Sequence, residues 1–197
     1  MIRLGITGGI GSGKSYVARL LSEAGFPVYD TDSHAKRLMR EHSSIRQQLV
    51  ALLGEKVYLD GQLNKLLLAE YLFAGPENAA RINAIVHPVV WCDFQEWSLR
   101  HAASEIVIME CAILYESGFW KAVDKVLMVY APEEVRLHRA MQRDGATEAQ
   151  IRSRMCAQWS EEEKCRRADF VICNDGLAPL QPQLHELIDR LLTEKGG

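Results

Sequence analysis

Residues 8–15 read Gly-Gly-Ile-Gly-Ser-Gly-Lys-Ser, with Gly8, Gly13, Lys14 and Ser15 at the fixed positions of GxxxxGK[ST]. Glycines at this density let successive backbone N–H groups turn inward, and a following helix points its positive end at the same spot. That is a cradle for phosphate. Lys14 has the reach for the β- and γ-phosphates of a nucleotide, and the Ser15 hydroxyl is a hard oxygen ligand for Mg²⁺. The amides of Gly9, Ile10, Gly11, Ser12, Gly13, Lys14 and Ser15 are the candidate phosphate contacts.

Other residues have chemistry to offer beside that cradle. Asp30 and Asp32 end a short strand pattern, and residues two apart in extended chain face the same way. A carboxylate at the carboxyl end of a parallel strand borders the ligand crevice, where it can accept the proton of an attacking hydroxyl or orient a metal-bound water. One of the pair also suits the N-cap of the helix that follows, and Asp32 is the better candidate base. Arg136, Arg139 and Arg143 fall at i, i+3 and i+7 and form one basic stripe on a helix. Such a helix can close over a nucleotide and neutralise the transferring phosphoryl group. Glu110 ends an apolar run, where a phosphate-loop protein often carries its second, magnesium-orienting acid. His87-Pro88 stands between two helical stretches.

The elements that must position these groups are legible in the hydropathy pattern. Residues 2–7 form a buried strand, residues 14–24 a helix closed by Gly25, and residues 26–29 a second strand, one βαβ unit at the start of a parallel sheet. Helical patterns follow at 33–41, 44–53, 64–73, 76–86 and 88–102, with turns at Asp60-Gly61 and Gly75-Pro76. Five helices exceed the needs of a single crossover, so part of this block is an inserted helical subdomain. Residues 105–113 and 125–129 are near-continuous apolar runs, as in buried parallel strands. Pro132 opens a charged helical stretch that breaks at Asp144-Gly145 and runs to about 167. A strand at 170–173 and a helix at 182–194 close the chain.

The chain has 197 residues, 48% apolar and 25% charged, with a net charge of -3. This is one globular domain's worth of chain, with no broad basic character to suggest a nucleic-acid partner. Apolar runs fall short of the ~18 residues a membrane span needs. No basic segment with an apolar core precedes the first strand, so no secretory leader and a cytoplasmic location are expected. Five cysteines without a CxxC pair, and histidines without metal-ligand spacing, point to neither a disulfide framework nor a zinc site. The four tryptophans suit packing.

Three classes share a phosphate loop: phosphotransferases, hydrolysing switches or motors, and nucleotide-binding regulators. A guanine-reading NKxD motif is missing, because Asn64-Lys65 is followed by Leu66-Leu67. A short parallel sheet, a helical insertion and a later arginine-rich helix pair are the parts of a small-molecule kinase. The acceptor stays open at this level, a nucleoside or nucleoside monophosphate among the alternatives.

The segments TGGIGSGKS, YDTD, DGQLNKLLL, IVHP, AILYESG, HRAMQRD and ICNDG occur in that order across nearly the whole chain. Together they resemble the dephospho-CoA kinase family. The resemblance implies a three-layer α/β/α P-loop fold made of a core (1–32, 105–131, 168–197), a CoA-binding helical insertion (about 58–104) and a helical lid (about 136–167). It implies transfer of the ATP γ-phosphate to the ribose 3′-hydroxyl of dephospho-CoA with Mg²⁺. Asp32 matches the general base, Lys14, Ser15 and Tyr16 the phosphate-loop contacts, and Arg139 and Arg143 the lid arginines near ATP, with Lys14 and Arg139 joining Asp32 in catalysis. Asn174 and Gly176 match the loop beside adenine, and His87, Lys65 and Glu110 fall among acceptor contacts. A monomer or small homo-oligomer is expected. Three positions depart from the family's usual pattern: Tyr16 replaces threonine, Lys65 replaces arginine, and Glu110-Cys111-Ala112 replaces Asp-Ile-Pro.

Overall fold

A computed structural model describes residues 1–194; the last three residues of the expected 168–197 core segment lie outside the described residues. Strand β1 (Ile2–Thr7) runs into the phosphate loop and helix α1 (Lys14–Glu23), and β2 (Val28–Asp30) follows. Helices α2 (Thr31–Glu41) and α3 (Ser43–Leu53), a hairpin of β3 (Tyr58–Leu59) and β4 (Gln62–Leu63), and helices α4 (Lys65–Phe73) and α5 (Pro76–Arg100) come next. Then follow β5 (Ile106–Glu110), β6 (Lys125–Tyr130), α6 (Glu133–Asp144), α7 (Glu148–Cys156), α8 (Glu161–Arg167), β7 (Phe170–Cys173) and α9 (Leu180–Glu194).

The main sheet has the order β2-β5-β1-β6-β7. Strand β1 pairs in parallel with β5 on one side (Ile6 opposite Glu110) and with β6 on the other (Ile6 opposite Leu127). The chain leaves β1 toward one edge of the sheet and leaves β6 toward the other, so the crevice of this α/β fold opens where the two strands adjoin. One core binds the sheet to its helices: Leu4, Ile6, Ile106, Ile108, Leu127, Val129 and Ile172 meet Val17 and Leu21 of α1 and Leu184, Leu187 and Leu191 of α9. Alternating strand residues and a helical stripe thus bury each other, which is why the near-continuous apolar runs read as parallel strands.

The chain divides into two compact units, Asp30–Glu96 and the remainder. Inside the first, Asp93 of α5 pairs with His34 (3.0 Å) and Arg37 (2.8 Å) of α2.

Three local expectations are corrected. The pattern around His87-Pro88 suggests two helices, but α5 is one helix of 25 residues with Pro88 inside it. Ile82, Val86, Val90 and Phe94 recur every four residues and are all buried. Packing along that unbroken stripe outweighs the roughly 3 kcal/mol and single hydrogen bond that an interior proline costs. Asp60-Gly61 is a turn as expected, yet it joins two strands. Both residues have positive φ (48° and 78°), the signature of a two-residue hairpin turn; two-residue strands are too short to show alternation. The charged stretch to residue 167 is three helices, since Ser160 caps α8 by accepting the Glu163 N–H at 3.2 Å.

Candidate active site

The phosphate loop joins β1 to α1. Gly13 is the N-cap of α1 with φ 89°, and no side chain caps that end or places an acid in its first turn. A helix that opens this way presents its amides and its positive pole to an incoming anion. A side chain at Gly13 would be strained by the left-handed backbone and would strike the Asn174 amide. Gly11, with φ 80°, is pressed against the Arg136 carbonyl and likewise has no room for a side chain.

Glu110 stands at the carboxyl end of β5, beside β1. Its Oε1 lies 3.3 Å from the Lys14 Nζ and accepts the Ser15 hydroxyl at 2.8 Å. With side chains 19% and 11% exposed, Lys14 and Glu110 form a largely desolvated pair at the mouth of the loop. The substitution of Glu for Asp therefore leaves this carboxylate on the phosphate-loop lysine and serine. These hard oxygen donors fit a magnesium ion that keeps phosphate oxygens and water as its remaining ligands. Among the described residues no group of three or more His, Cys, Asp or Glu offers an all-protein metal cage, which Mg²⁺ does not require.

The arginines do not act as one stripe. Arg139 donates to the Asn174 carbonyl at 2.8 Å, and the Asn174 side chain donates to the Ser12 carbonyl at 2.8 Å. Helix α6, the loop after β7 and the phosphate loop are thereby joined. Gly176 follows in that loop, within reach of the Arg139 guanidinium. Arg143 is exposed and forms two bonds to Asp144 (2.7 and 3.1 Å); that bond raises its pKa and lowers the Asp144 carboxyl. Arg136 is buried, donating to the Ala131 carbonyl at 3.1 Å and facing Glu161 at 3.7 Å.

In the Asp30–Glu96 unit, Asp30 caps α2 by accepting the Asp32 N–H (3.0 Å) and the Ser33 hydroxyl (2.5 Å). Asp30 is thus the capping acid, and Asp32 is left exposed in the first turn of α2. Lys65 is exposed at the start of α4, and His87 is half-buried in α5. Burial lowers the His87 pKa, so its imidazole is held neutral below the usual range. Tyr16 is exposed on α1 under the Arg19 guanidinium.

Sequence reasoning missed three residues. Gln158 accepts the Ile10 N–H at 3.1 Å. Glu161 is 7% exposed, and Lys164, completely buried, donates to the Ala112 carbonyl at 3.1 Å and pairs with Glu116 at 2.9 Å. They lie in a charge-rich run that resembles any solvated helix. Trp159 stacks on Tyr115 with centroids 5.9 Å apart, and burial pushes the Tyr115 phenol up to about 12.

A parallel sheet of this order, with a glycine loop whose lysine and serine meet an acid on the neighbouring strand, defines a P-loop nucleotide-binding protein. The profile of the family described as dephospho-CoA kinase matches residues 2–179. A dephospho-CoA kinase of Bacteroides fragilis is 51% identical over 187 residues, covering 95% of this chain and 91% of its own. One from Porphyromonas gingivalis is 40% identical over 196 residues, covering 99% and 96%. Among solved structures, TT1252 from Thermus thermophilus superposes with a TM-score of 0.81 at 34% identity, covering 98% of this chain and 97% of that one. The chain belongs to the dephospho-CoA kinase family. Among the described residues no helix is long and apolar enough to cross a membrane.

Proposed function

We propose that this protein transfers the γ-phosphate of ATP to the ribose 3′-hydroxyl of dephospho-CoA, giving coenzyme A and ADP. The observation that carries the nucleotide half is the meeting of Lys14, Ser15 and Glu110 at the mouth of a loop closed by an uncapped helix. The acceptor half rests on the family.

In this reading the amides of Gly11, Gly13, Lys14 and Ser15 and the Lys14 ammonium hold the β- and γ-phosphates, while the Ile10 and Ser12 amides, expected among these contacts, are taken by the Gln158 side chain and the Gly9 carbonyl. Ser15, with Glu110 beside it, holds Mg²⁺, which when bound offsets phosphate charge and fixes the triphosphate for in-line attack. Asp32, exposed in the first turn of α2, accepts the proton of the attacking ribose hydroxyl. Arg139 stabilises charge on the transferring group, and the Asn174–Gly176 loop borders the adenine. Arg143 reaches ATP only by leaving Asp144. The compact unit from Asp30 to Glu96 carries Asp32, Lys65 and His87, and binds the acceptor; α6 and α7 serve as the lid. The protein works in the cytoplasm, as a monomer or small homo-oligomer.

The test is ADP formation from Mg-ATP with dephospho-CoA, with a nucleoside, or with no acceptor. ADP release that depends on dephospho-CoA is expected; equal release without acceptor would overturn the reading.

A further inference from the structure

The tip of the phosphate loop, Gly9 and Ile10, is held from outside by the α6–α8 block. The Ile10 side chain packs into the small core of Leu137, Ala140 and Ile151, which joins α6 to α7. Its N–H is accepted by the Gln158 side chain at 3.1 Å. Glu161 stands directly against Gly9, where any side chain would strike its carboxylate and the Arg136 guanidinium. The holding groups are themselves secured. Arg136 faces Glu161 at 3.7 Å while bound to Ala131. One turn further along α8, Lys164 is fixed to Ala112 and Glu116 in the segment after β5.

We infer that Gln158 and Glu161 are positioning residues for phosphate transfer: Gln158, by accepting the Ile10 amide, and Glu161, by its close approach to Gly9, set the shape of the phosphate loop before ATP arrives. A glycine-rich loop is entropically costly to order, and a loop already ordered loses less on binding. The lever is specific. Both side chains come from a stretch of four residues that leads into α8, and a buried lysine keeps that stretch from swinging away. Helix α8 is thereby tied to the segment after β5. Both side chains also line a cavity of about 420 Å³ between α6, α7 and α8, so a substituted side chain has space to rearrange without displacing α8.

The inference rests on the kinase reading for its catalytic consequence, but its test does not need the acceptor. Gln158→Leu removes the acceptor and keeps bulk. Expected are a tenfold or greater rise in amide hydrogen exchange at Ile10, at least tenfold weaker binding of a non-hydrolysable ATP analogue, about 1.4 kcal/mol, and a Tm close to wild type. Glu161→Gln keeps the shape that stands against Gly9 and is expected to bind the analogue within threefold of wild type, whereas Glu161→Ala, which leaves that space open, is not. Unchanged exchange at Ile10, or analogue binding within twofold of wild type in Gln158→Leu, would overturn the inference. If the wild type binds the analogue yet fails to phosphorylate dephospho-CoA, only the acceptor reading falls, and the binding comparison still decides the role of Gln158.

Discussion

Replacing Lys164 with methionine should be far more damaging than its place in a charged run suggests. The ammonium is fully buried, 2.9 Å from the Glu116 carboxylate and 3.1 Å from the Ala112 carbonyl. Methionine fills the space of the alkyl stem and supplies no donor. Glu116 Oε1 then keeps the Trp159 N–H at 2.9 Å, while Oε2, buried and without a hydrogen-bond partner already, loses the charge that compensates it. Breaking a buried pair from one side costs about 3–5 kcal/mol; because the Glu116 side chain is 16% exposed, the lower end of that range applies. At roughly 2–4 °C per kcal/mol for a chain of this size, Tm should fall by about 6–12 °C. Adding Glu116→Gln removes the orphaned charge while its amide oxygen still accepts from Trp159, so the double variant should lose only about 1 kcal/mol, the share of the Ala112 bond. Urea unfolding followed by tryptophan fluorescence, with calorimetry as a second probe, measures all three proteins. A Lys164→Met variant within 1 kcal/mol of wild type, or a double variant no better than that single, would refute the reasoning.

Asp32→Asn should retain ATP affinity within about twofold, because that acid is not part of the phosphate loop, and lose about 10²–10⁴-fold in kcat as expected for a missing general base; wild-type turnover would remove Asp32 from that role. Glu110→Gln withdraws the charge that Lys14 and Ser15 share, and kcat should drop by about 10²–10³-fold with more Mg²⁺ needed for half-maximal ADP release; an unchanged Mg²⁺ titration would count against it. For His87 the sign follows from its lowered folded pKa: stability is complete above the unfolded value of about 6.5 and is lost as pH falls through the folded value. Melting curves from pH 7.5 to 5 should therefore fall more steeply for wild type than for His87→Gln, and parallel slopes would contradict that linkage.

The glycine loop could be read directly from residues 8–15 because its chemistry is local: backbone amides, one lysine, one hydroxyl and the helix that follows are contiguous in the chain. The parallel strands were equally plain, since burial on both faces leaves uninterrupted apolar runs such as Ile106-Val107-Ile108-Met109. That one of Asp30 and Asp32 suits the cap of α2 was visible as a choice, and the geometry shows that Asp30 serves it.

Other features depend on which distant residues meet. Glu110 could have been a metal-side acid, an acceptor contact or a buried structural group until the register of β5 against β1 set it on Lys14 and Ser15. Arg136, Arg139 and Arg143 share a helical spacing, yet one is buried on Glu161, one serves the Asn174 loop and one faces Asp144; spacing gives the face of a helix and says nothing of what lies across from it. Pro88 signals a helix end, and only the stripe from Ile82 to Phe94, buried along its whole length, overrides it. Gln158, Glu161 and Lys164 carry no local pattern at all, because a polar side chain acquires its role from the amides and charges that the fold brings to it. The sequence thus suffices for a phosphate-binding α/β kinase, while the grip on the loop at Gly9 and Ile10 arises only when α6, α7 and α8 close around it, through contacts between residues nearly 150 positions apart.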